Sequence, residues 1–275
     1  MKIKYLGTAA AEGVPGIFCN CEICNRVREL KGPNVRTRSQ AIIADDFLID
    51  FPPDTYMHVL QNGLRLDKVK YLLMTHSHSD HFLPSDLALR GMDCAHNMHV
   101  ENLKMFCNEA VLNRFLKEDV FPAVREHIDI TVVKPFHKYC FGDYYVVPLP
   151  ANHMQTETAF IYIIGDHKKT ILYGNDTGIP SDDVFEFIKN SKTKFDLVSL
   201  DCTFGFRYVS GGGHLCLDGV AKVRRRLTDI GAMDGNTLLY ITHFSHNGRP
   251  IQADLEVAAK EFEGNVAYDG LEIEF

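Results

Sequence analysis

Between residues 75 and 81 the chain reads Thr75-His76-Ser77-His78-Ser79-Asp80-His81. Three imidazoles and a carboxylate this close together form a metal-ligand set. Imidazole suits Zn, Fe, Ni and Cu, and mixed nitrogen and oxygen ligands are typical of Zn or Mn in hydrolytic sites. After a strand, the alternate residues His76 and His78 can point the same way. A turn then brings Asp80 and His81 toward an adjacent position, so one segment can feed two neighbouring metals. The competing reading is a His-rich solvent loop or helix cap, and further ligand-type residues downstream weigh against it.

Those residues are His153, after Val146–Leu149, Asp176 in Gly174-Asn175-Asp176-Thr177-Gly178, and His243 after Leu238–Thr242. Alone, His153 reads as a hydrogen-bonded loop histidine and Asp176 as a turn residue. Asp50, before Pro52-Pro53, alone reads as a helix cap. Arg38, Asn152, Asn247 and Arg249 are weaker candidates for substrate contact. His96 and His99 are three apart but lack further ligands. They read as surface residues, as do His58, His127, His137 and His167.

A second cluster, Cys19, Cys21 and Cys24, forms C-x-C-x-x-C. Thiolates so crowded are the ligands of a structural zinc, which needs a fourth donor to close a tetrahedron. The first candidate is His246, three residues after His243; His214 and Cys216 compete with it. Redox-active thiols are the functional alternative. Cys94, Cys107, Cys140, Cys202 and Cys216 are scattered singly and read as small core residues.

The elements that must position these residues follow from hydrophobic patterning. Strands are expected at Ile3–Leu6, Ala41–Ile49, Val69–Met74, Ile128–Val133, Tyr144–Leu149, Ala159–Ile164, Thr170–Tyr173, Leu197–Leu200, Leu238–Thr242 and Val266–Tyr268. The last, Leu271–Phe275, follows a tight-turn signal at Asp269-Gly270. Helices are expected at Pro53–Asn62, Asn108–Lys117, Asp182–Asn190, Leu217–Ile230 and Gln252–Phe262. Strands and helices mix in both halves, an α/β class with large sheets. Four of the strands deliver polar ligand-type residues at their C-terminal ends, as sites on loops at one sheet edge do.

With 275 residues, 45% of them hydrophobic, the chain can bury a substantial core, and no repeat or linker divides it. Its apolar runs are too short to span a bilayer, and the N-terminus does not read as a signal peptide. A cytoplasmic protein is expected. The net charge of −7 leaves no basic stripe for a long nucleic-acid footprint. Arg224-Arg225-Arg226 reads as a solvated helical face.

The pattern H-x-H-x-D-H resembles the signature of the metallo-β-lactamase-fold hydrolases. Tyr5-Leu6-Gly7-Thr8 is similar to that family's first strand and turn, and Phe47-Leu48-Ile49-Asp50 to its strand ending in a supporting Asp. The resemblance implies an α/β, αββα four-layer sandwich of two mixed sheets flanked by helices. It would occupy residues 1–275 as a single domain, with a Cys-rich zinc-binding insertion at about 13–38. It also implies two divalent metals (Zn or Mn), one held by His76, His78 and His153, the other by Asp80, His81 and His243, with Asp176 bridging. One structural Zn on Cys19, Cys21, Cys24 and His246 completes the set. The C-x-C-x-x-C segment together with His243-x-x-His246 resembles the carbon–phosphorus lyase accessory phosphodiesterase branch.

The implied chemistry is hydrolysis of a small phosphodiester, cyclic forms included. Metal binding lowers the pKa of water toward ~7, so that a hydroxide shared by the pair can attack phosphorus. The leaving oxygen then needs a proton. His214, after Gly211-Gly212-Gly213, is the candidate donor or phosphate contact, and Asp80, which adjoins the reacting group, is a candidate to share the proton work. The preceding glycines would let the backbone move or approach a substrate. The expected partner is a small-molecule phosphodiester; membranes and nucleic acid are not expected, and a homodimer is left open. The rivals are a tRNA 3′-end endonuclease (RNase Z), which shares the ligand set and the H-F-S motif, and thioester hydrolysis of the glyoxalase II kind. A flavodiiron-type oxidoreductase is a different class, which places a carboxylate where this chain has His78.

Overall fold

The structure is a computed structural model that describes residues 1–118, 122–209 and 212–275; Gly211 of the glycine run thus lies outside the described residues. Among the described residues fourteen strands occur in the order β1 (Lys2–Gly7), β2 (Gln40–Ile43), β3 (Phe47–Ile49), β4 (Tyr71–Leu73), β5 (Leu103–Cys107), β6 (Ile128–Val132), β7 (Tyr139–Phe141), β8 (Tyr144–Pro150), β9 (Phe160–Gly165), β10 (Thr170–Gly174), β11 (Leu197–Asp201), β12 (Leu238–Thr242), β13 (Asn265–Val266) and β14 (Glu272–Glu274). They form two seven-stranded mixed sheets, ordered β14-β1-β2-β3-β4-β5-β6 and β13-β12-β11-β10-β9-β8-β7.

Side-chain alternation explains the layering. Tyr71 and Leu73 point into the core between the sheets, where they join Phe47, Phe160, Tyr162 and Tyr173, while Leu72 points to the outer face. Ile161 and Ile163 likewise turn from the inter-sheet core to the opposite outer face. Each outer face is covered by helices. Helix α3 (Glu109–Lys117) buries Val111 and Phe115 on the first sheet, and α5 (Asp182–Asn190) buries Val184, Phe185 and Ile188 on the second. Helices α6 (Leu217–Asp229) and α7 (Gln252–Ala259) pack beside α5. The result is the αββα sandwich.

Strands β3 to β6 run parallel, and so do β10 to β13. Strand β8 is antiparallel to β9, and β9 to β10, so β8 points the same way as β10. The C-terminal ends of β8, β10, β11 and β12 therefore share one edge of the second sheet.

Several elements differ from the sequence reading. Ala41–Ile49 is two strands, because Ala44 and Asp45 take left-handed conformations (φ 48° and 70°) and fold β2 back on β3. Strands β5 and β7 were not expected. Asp269-Gly270 is a tight turn as expected, with the Leu271 amide bonded to the Tyr268 carbonyl, but the strands on either side of it, β13 and β14, belong to different sheets, and Asp269 accepts hydrogen bonds from Thr8 and Thr37. A further helix, α1 (Glu22–Leu30), starts inside the Cys-rich segment, where the Cys21 thiol accepts from the Cys24 amide. Its polar sequence hides it, because only Cys24 and Val27 are buried. Among the scattered cysteines, Cys94 and Cys140 are exposed rather than core. His58 is fully buried rather than on the surface. Among the described residues no helix is long and apolar enough to cross a membrane.

Candidate metal centre

Two ligand groups meet at the shared edge: His76, His78 and His153, and beside them Asp80, His81, Asp176 and His243, the ligand atoms of each group lying within 4.8 Å of one another. Asp176, just beyond β10, stands between the groups. Its Oδ1 is 2.8 Å from His243 Nε2, and its Oδ2 is 3.2 Å from His81 Nε2, 3.8 Å from His76 Nε2 and 4.0 Å from His153 Nε2. This is the placement the resemblance implies for a bridging carboxylate.

The ring nitrogens are sorted by what holds the far side of each imidazole. His81 Nδ1 is 2.7 Å from Asp50 Oδ2, His153 Nδ1 is 3.0 Å from the Gly213 carbonyl, His243 Nδ1 is 2.8 Å from Thr203 Oγ1, and His76 Nδ1 is 3.0 Å from Thr75 Oγ1. With Nδ1 engaged, each of these four rings presents Nε2 to the centre. Fixing the tautomer from behind is how ligand histidines are oriented. His78 presents Nδ1, 3.2 Å from His153 Nε2.

Asp50, at the end of β3, is the main support. Its carboxylate also accepts from the Thr75 amide and hydroxyl, so it is not a helix cap. Asp50 and His243 both adopt left-handed backbone conformations, φ 63° and 61°, a strain that over-determined surroundings sustain at functional sites. Gly213 is required by the close approach of its own backbone to His153. A Cβ there would lie 2.4 Å from the His153 carbonyl oxygen and 2.9 Å from its Nδ1. The glycine is what lets the backbone pass this close to His153.

Burial and charge set the protonation of these groups. Burial holds His76 well below the usual imidazole range, with the neighbouring His81 adding to the effect. For His81 burial works the same way, but Asp176, Asp80 and Asp50 outweigh it and raise the ring. Burial would raise Asp176 and Asp80, yet His243 and His81 hold the former low and His81 the latter.

The fit to metals rests on unsatisfied atoms. His76 Nε2, His81 Nε2, His243 Nε2 and Asp176 Oδ1 are buried and converge on one place, and none has a well-aligned hydrogen bond among the described residues, the close approach of His243 Nε2 to Asp176 Oδ1 included. Buried polar atoms without partners are costly, and a shared cation is what this donor set would satisfy.

His214 lies beside the centre, its ring stacked on His243 (5.6 Å, 13°) and edge-on to His153 (4.8 Å). Its Nδ1 is 2.7 Å from Asp201 Oδ2. Burial disfavours the charged ring, but Asp201 overcomes that and lifts it to about 9. Asp201 was not singled out in the sequence, although it ends β11 as the other ligand-type residues end their strands. It is fully buried and also accepts from the Thr203 and Leu215 amides and the Thr203 hydroxyl.

Cys19, Cys21, Cys24 and His246 form a separate tetrad. Both Cys19 and Cys21 Sγ lie 3.6 Å from His246 Nδ1. Gly16 makes room for it, since a Cβ would sit 3.1 Å from Cys19 Cβ and 3.3 Å from His246 Cδ2. The competing fourth donors fall away: His214 faces the other centre, and Cys216 is the buried residue ahead of α6. Arg38 pairs with Asp54, the Asn152 amide nitrogen donates to the Ile179 carbonyl, and that of Asn247 to Ser245, so these three serve local structure. His99 pairs with Asp67. Arg224 and Arg226 pair with Glu263 and Asp182 across the helical surface.

The model of the Beta-lactamase superfamily domain matches residues 46–244. A 94-residue stretch is 33% identical to Coenzyme PQQ synthesis protein B of Methylobacterium radiotolerans, covering 30% of this chain and 31% of that protein, so the match spans about a third of the relative's length. Among solved structures, the chain is similar over the whole of both chains to Zn(2+)-bound PqqB from Methylobacterium extorquens (TM-score 0.76, 16% identity). It is also similar to a diphosphatase from the PhnP family (TM-score 0.71, 22% identity, 100% of this chain and 97% of that one). A third likeness is to the short form of human tRNase Z (TM-score 0.69, 14% identity, 100% and 99%).

Proposed function

The chain belongs to the beta-lactamase superfamily, and from there we propose that it is a dinuclear metal-dependent phosphodiesterase acting on a small phosphodiester. The observation that carries this reading is the convergence around Asp176 of four buried donor atoms without well-aligned hydrogen bonds among the described residues, with the His214–Asp201 pair beside them. One metal would be held by His76, His78 and His153, the other by Asp80, His81 and His243, with Asp176 between them. Such a pair supplies activation of water and charge neutralisation at the phosphoryl group.

The chain's own residues do the rest. Asp50, Thr203 and the Gly213 carbonyl keep the ligand rings in the tautomer that turns Nε2 inward. His214, its Nδ1 tied to Asp201, keeps Nε2 free to donate a proton to the leaving oxygen. Asp80, held ionised by His81, adjoins the same centre and would share the proton work as an acceptor. The tetrad of Cys19, Cys21, Cys24 and His246 would hold a structural zinc that fixes the N-terminal loop to the segment carrying His243. That tetrad and the likeness to the PhnP-family diphosphatase favour a phosphate substrate.

The test is turnover of linear and cyclic phosphodiesters by the purified chain, with metal analysis alongside. Diesterase activity with three metals per chain supports the reading. Cleavage of precursor tRNA at low enzyme would shift it to the RNase Z type. The local identity to Coenzyme PQQ synthesis protein B favours a second reading, a part in cofactor synthesis, and inertness on every diester would turn the assignment toward it.

A further inference from the structure

Strand β4 ends at Leu73, and beyond Thr75, whose carbonyl accepts from the Phe160 amide, strand pairing no longer dictates where side chains point. The convergence of His76 and His78 on one place therefore needs another cause. It lies in the residue between them. Every polar group of Ser77 is held: its amide is 3.2 Å from both oxygens of Glu157, its hydroxyl is 2.6 Å from Glu157 Oε1, and its carbonyl accepts from Arg114 of α3. Glu157 is itself fixed, because Asn108 Nδ2 donates to its Oε2 at 2.7 Å. Asn108 cannot turn away. Its Oδ1 caps α3 by accepting from the Val111 amide at 2.8 Å, and its Nδ2 also donates to the Thr158 carbonyl at 2.9 Å.

Glu157 belongs to the loop after β8 that also carries His153. One carboxylate thus ties the loop bearing the third histidine to the peptide between the first two, and joins a loop of the second sheet to one of the first. We propose that Glu157 is a positioning residue that sets the bite of His76 and His78 and registers both against His153. This rests on the reading of these three histidines as one metal's ligands. A carboxylate suits the task better than an amide. It accepts from Ser77 on one side and Asn108 on the other, whereas glutamine would turn one donor group toward another donor. Partners one step behind the ligands commonly govern metal affinity by about 10–100-fold.

The test is equilibrium dialysis of the full chain against zinc, with metals per chain counted by mass spectrometry and the Co(II)-loaded protein followed by its visible absorption. Wild type is compared with Glu157→Ala, Glu157→Gln and Ser77→Ala. Glu157→Ala is expected to weaken one of the two catalytic equivalents about 10–100-fold and to change the Co(II) spectrum, leaving the other equivalent and the cysteine-held metal as in wild type. Glu157→Gln, which still offers Ser77 an acceptor, should fall between, as should Ser77→Ala; if the alanine variant does not fold, the glutamine variant carries the comparison. Wild-type affinity in all variants, or a uniform loss of all three metals, would overturn the proposal. A wild-type chain that takes up no metal at His76, His78 and His153 would overturn the hydrolase reading instead.

Discussion

His214 Nδ1 lies 2.7 Å from Asp201 Oδ2, while the other Asp201 oxygen accepts the Thr203 and Leu215 amides. The carboxylate is thus fixed by backbone before it fixes the imidazole. In Asp201→Asn the amide oxygen can keep the two backbone bonds, but its NH2 then faces His214 and favours the opposite tautomer. Turnover of a chromogenic diester is expected to fall about 10²–10⁴-fold with metal content unchanged. His214→Ala should fall as far, and the double variant no further. Additive losses in the double variant would show that the two residues act separately.

Asp50 holds His81 from behind at 2.7 Å and also accepts from Thr75. Asp50→Asn is expected to weaken the metal at Asp80, His81 and His243 by about 10–100-fold. Competition with a chromophoric chelator measures this directly, and unchanged affinity would remove Asp50 from the role.

Gly16 sits against Cys19 and His246 with no room for a methyl group to enter freely. Gly16→Ala should speed release of one metal per chain to a mild chelator and lower the thermal midpoint. Diester turnover per catalytic metal pair should stay near wild type. Equal release rates for the two proteins would count against the tetrad as a metal site.

His58 is buried, with Nδ1 2.6 Å from Gln40 Oε1 and Nε2 2.8 Å from Thr37 Oγ1. Burial pushes its pKa down to about 4, against a weaker opposing pull from Asp54. The folded chain therefore keeps His58 neutral while the unfolded chain protonates it near pH 6.5. This contribution is intact above pH 6.5 and is lost as pH falls from about 6.5 to about 4, on the order of 3 kcal/mol in all. His58→Asn should flatten that part of the pH dependence of the urea midpoint. Parallel wild-type and variant curves over the window would exclude His58 as its source.

The candidate ligand residues, which the fold brings together, were legible in the sequence because their types are uncommon together and they follow apolar runs that had to be strands. The αββα layering followed from the resemblance those residues carried, and the alternation of Tyr71, Leu72 and Leu73 shows its physical basis. What stayed hidden has physical causes. Asp201 meets His214 across 13 residues and Glu157 meets Ser77 across 80, and a lone carboxylate carries no spacing signal. Helix α1 buries only Cys24 and Val27, so few apolar residues mark it as a helix. The Asp269-Gly270 turn looks local but connects strands of different sheets, a distinction made by tertiary packing alone.

The left-handed backbone at Asp50 and His243 has a consequence for how this protein responds to selection. Glycine would relieve roughly 1 kcal/mol of strain at such a position, yet it offers neither the carboxylate nor the imidazole. A library enriched for heat resistance alone would therefore drift away from aspartate and histidine at these two positions. One enriched for turnover would hold them against that gradient, so comparing the two pools would map where stability and activity pull in opposite directions.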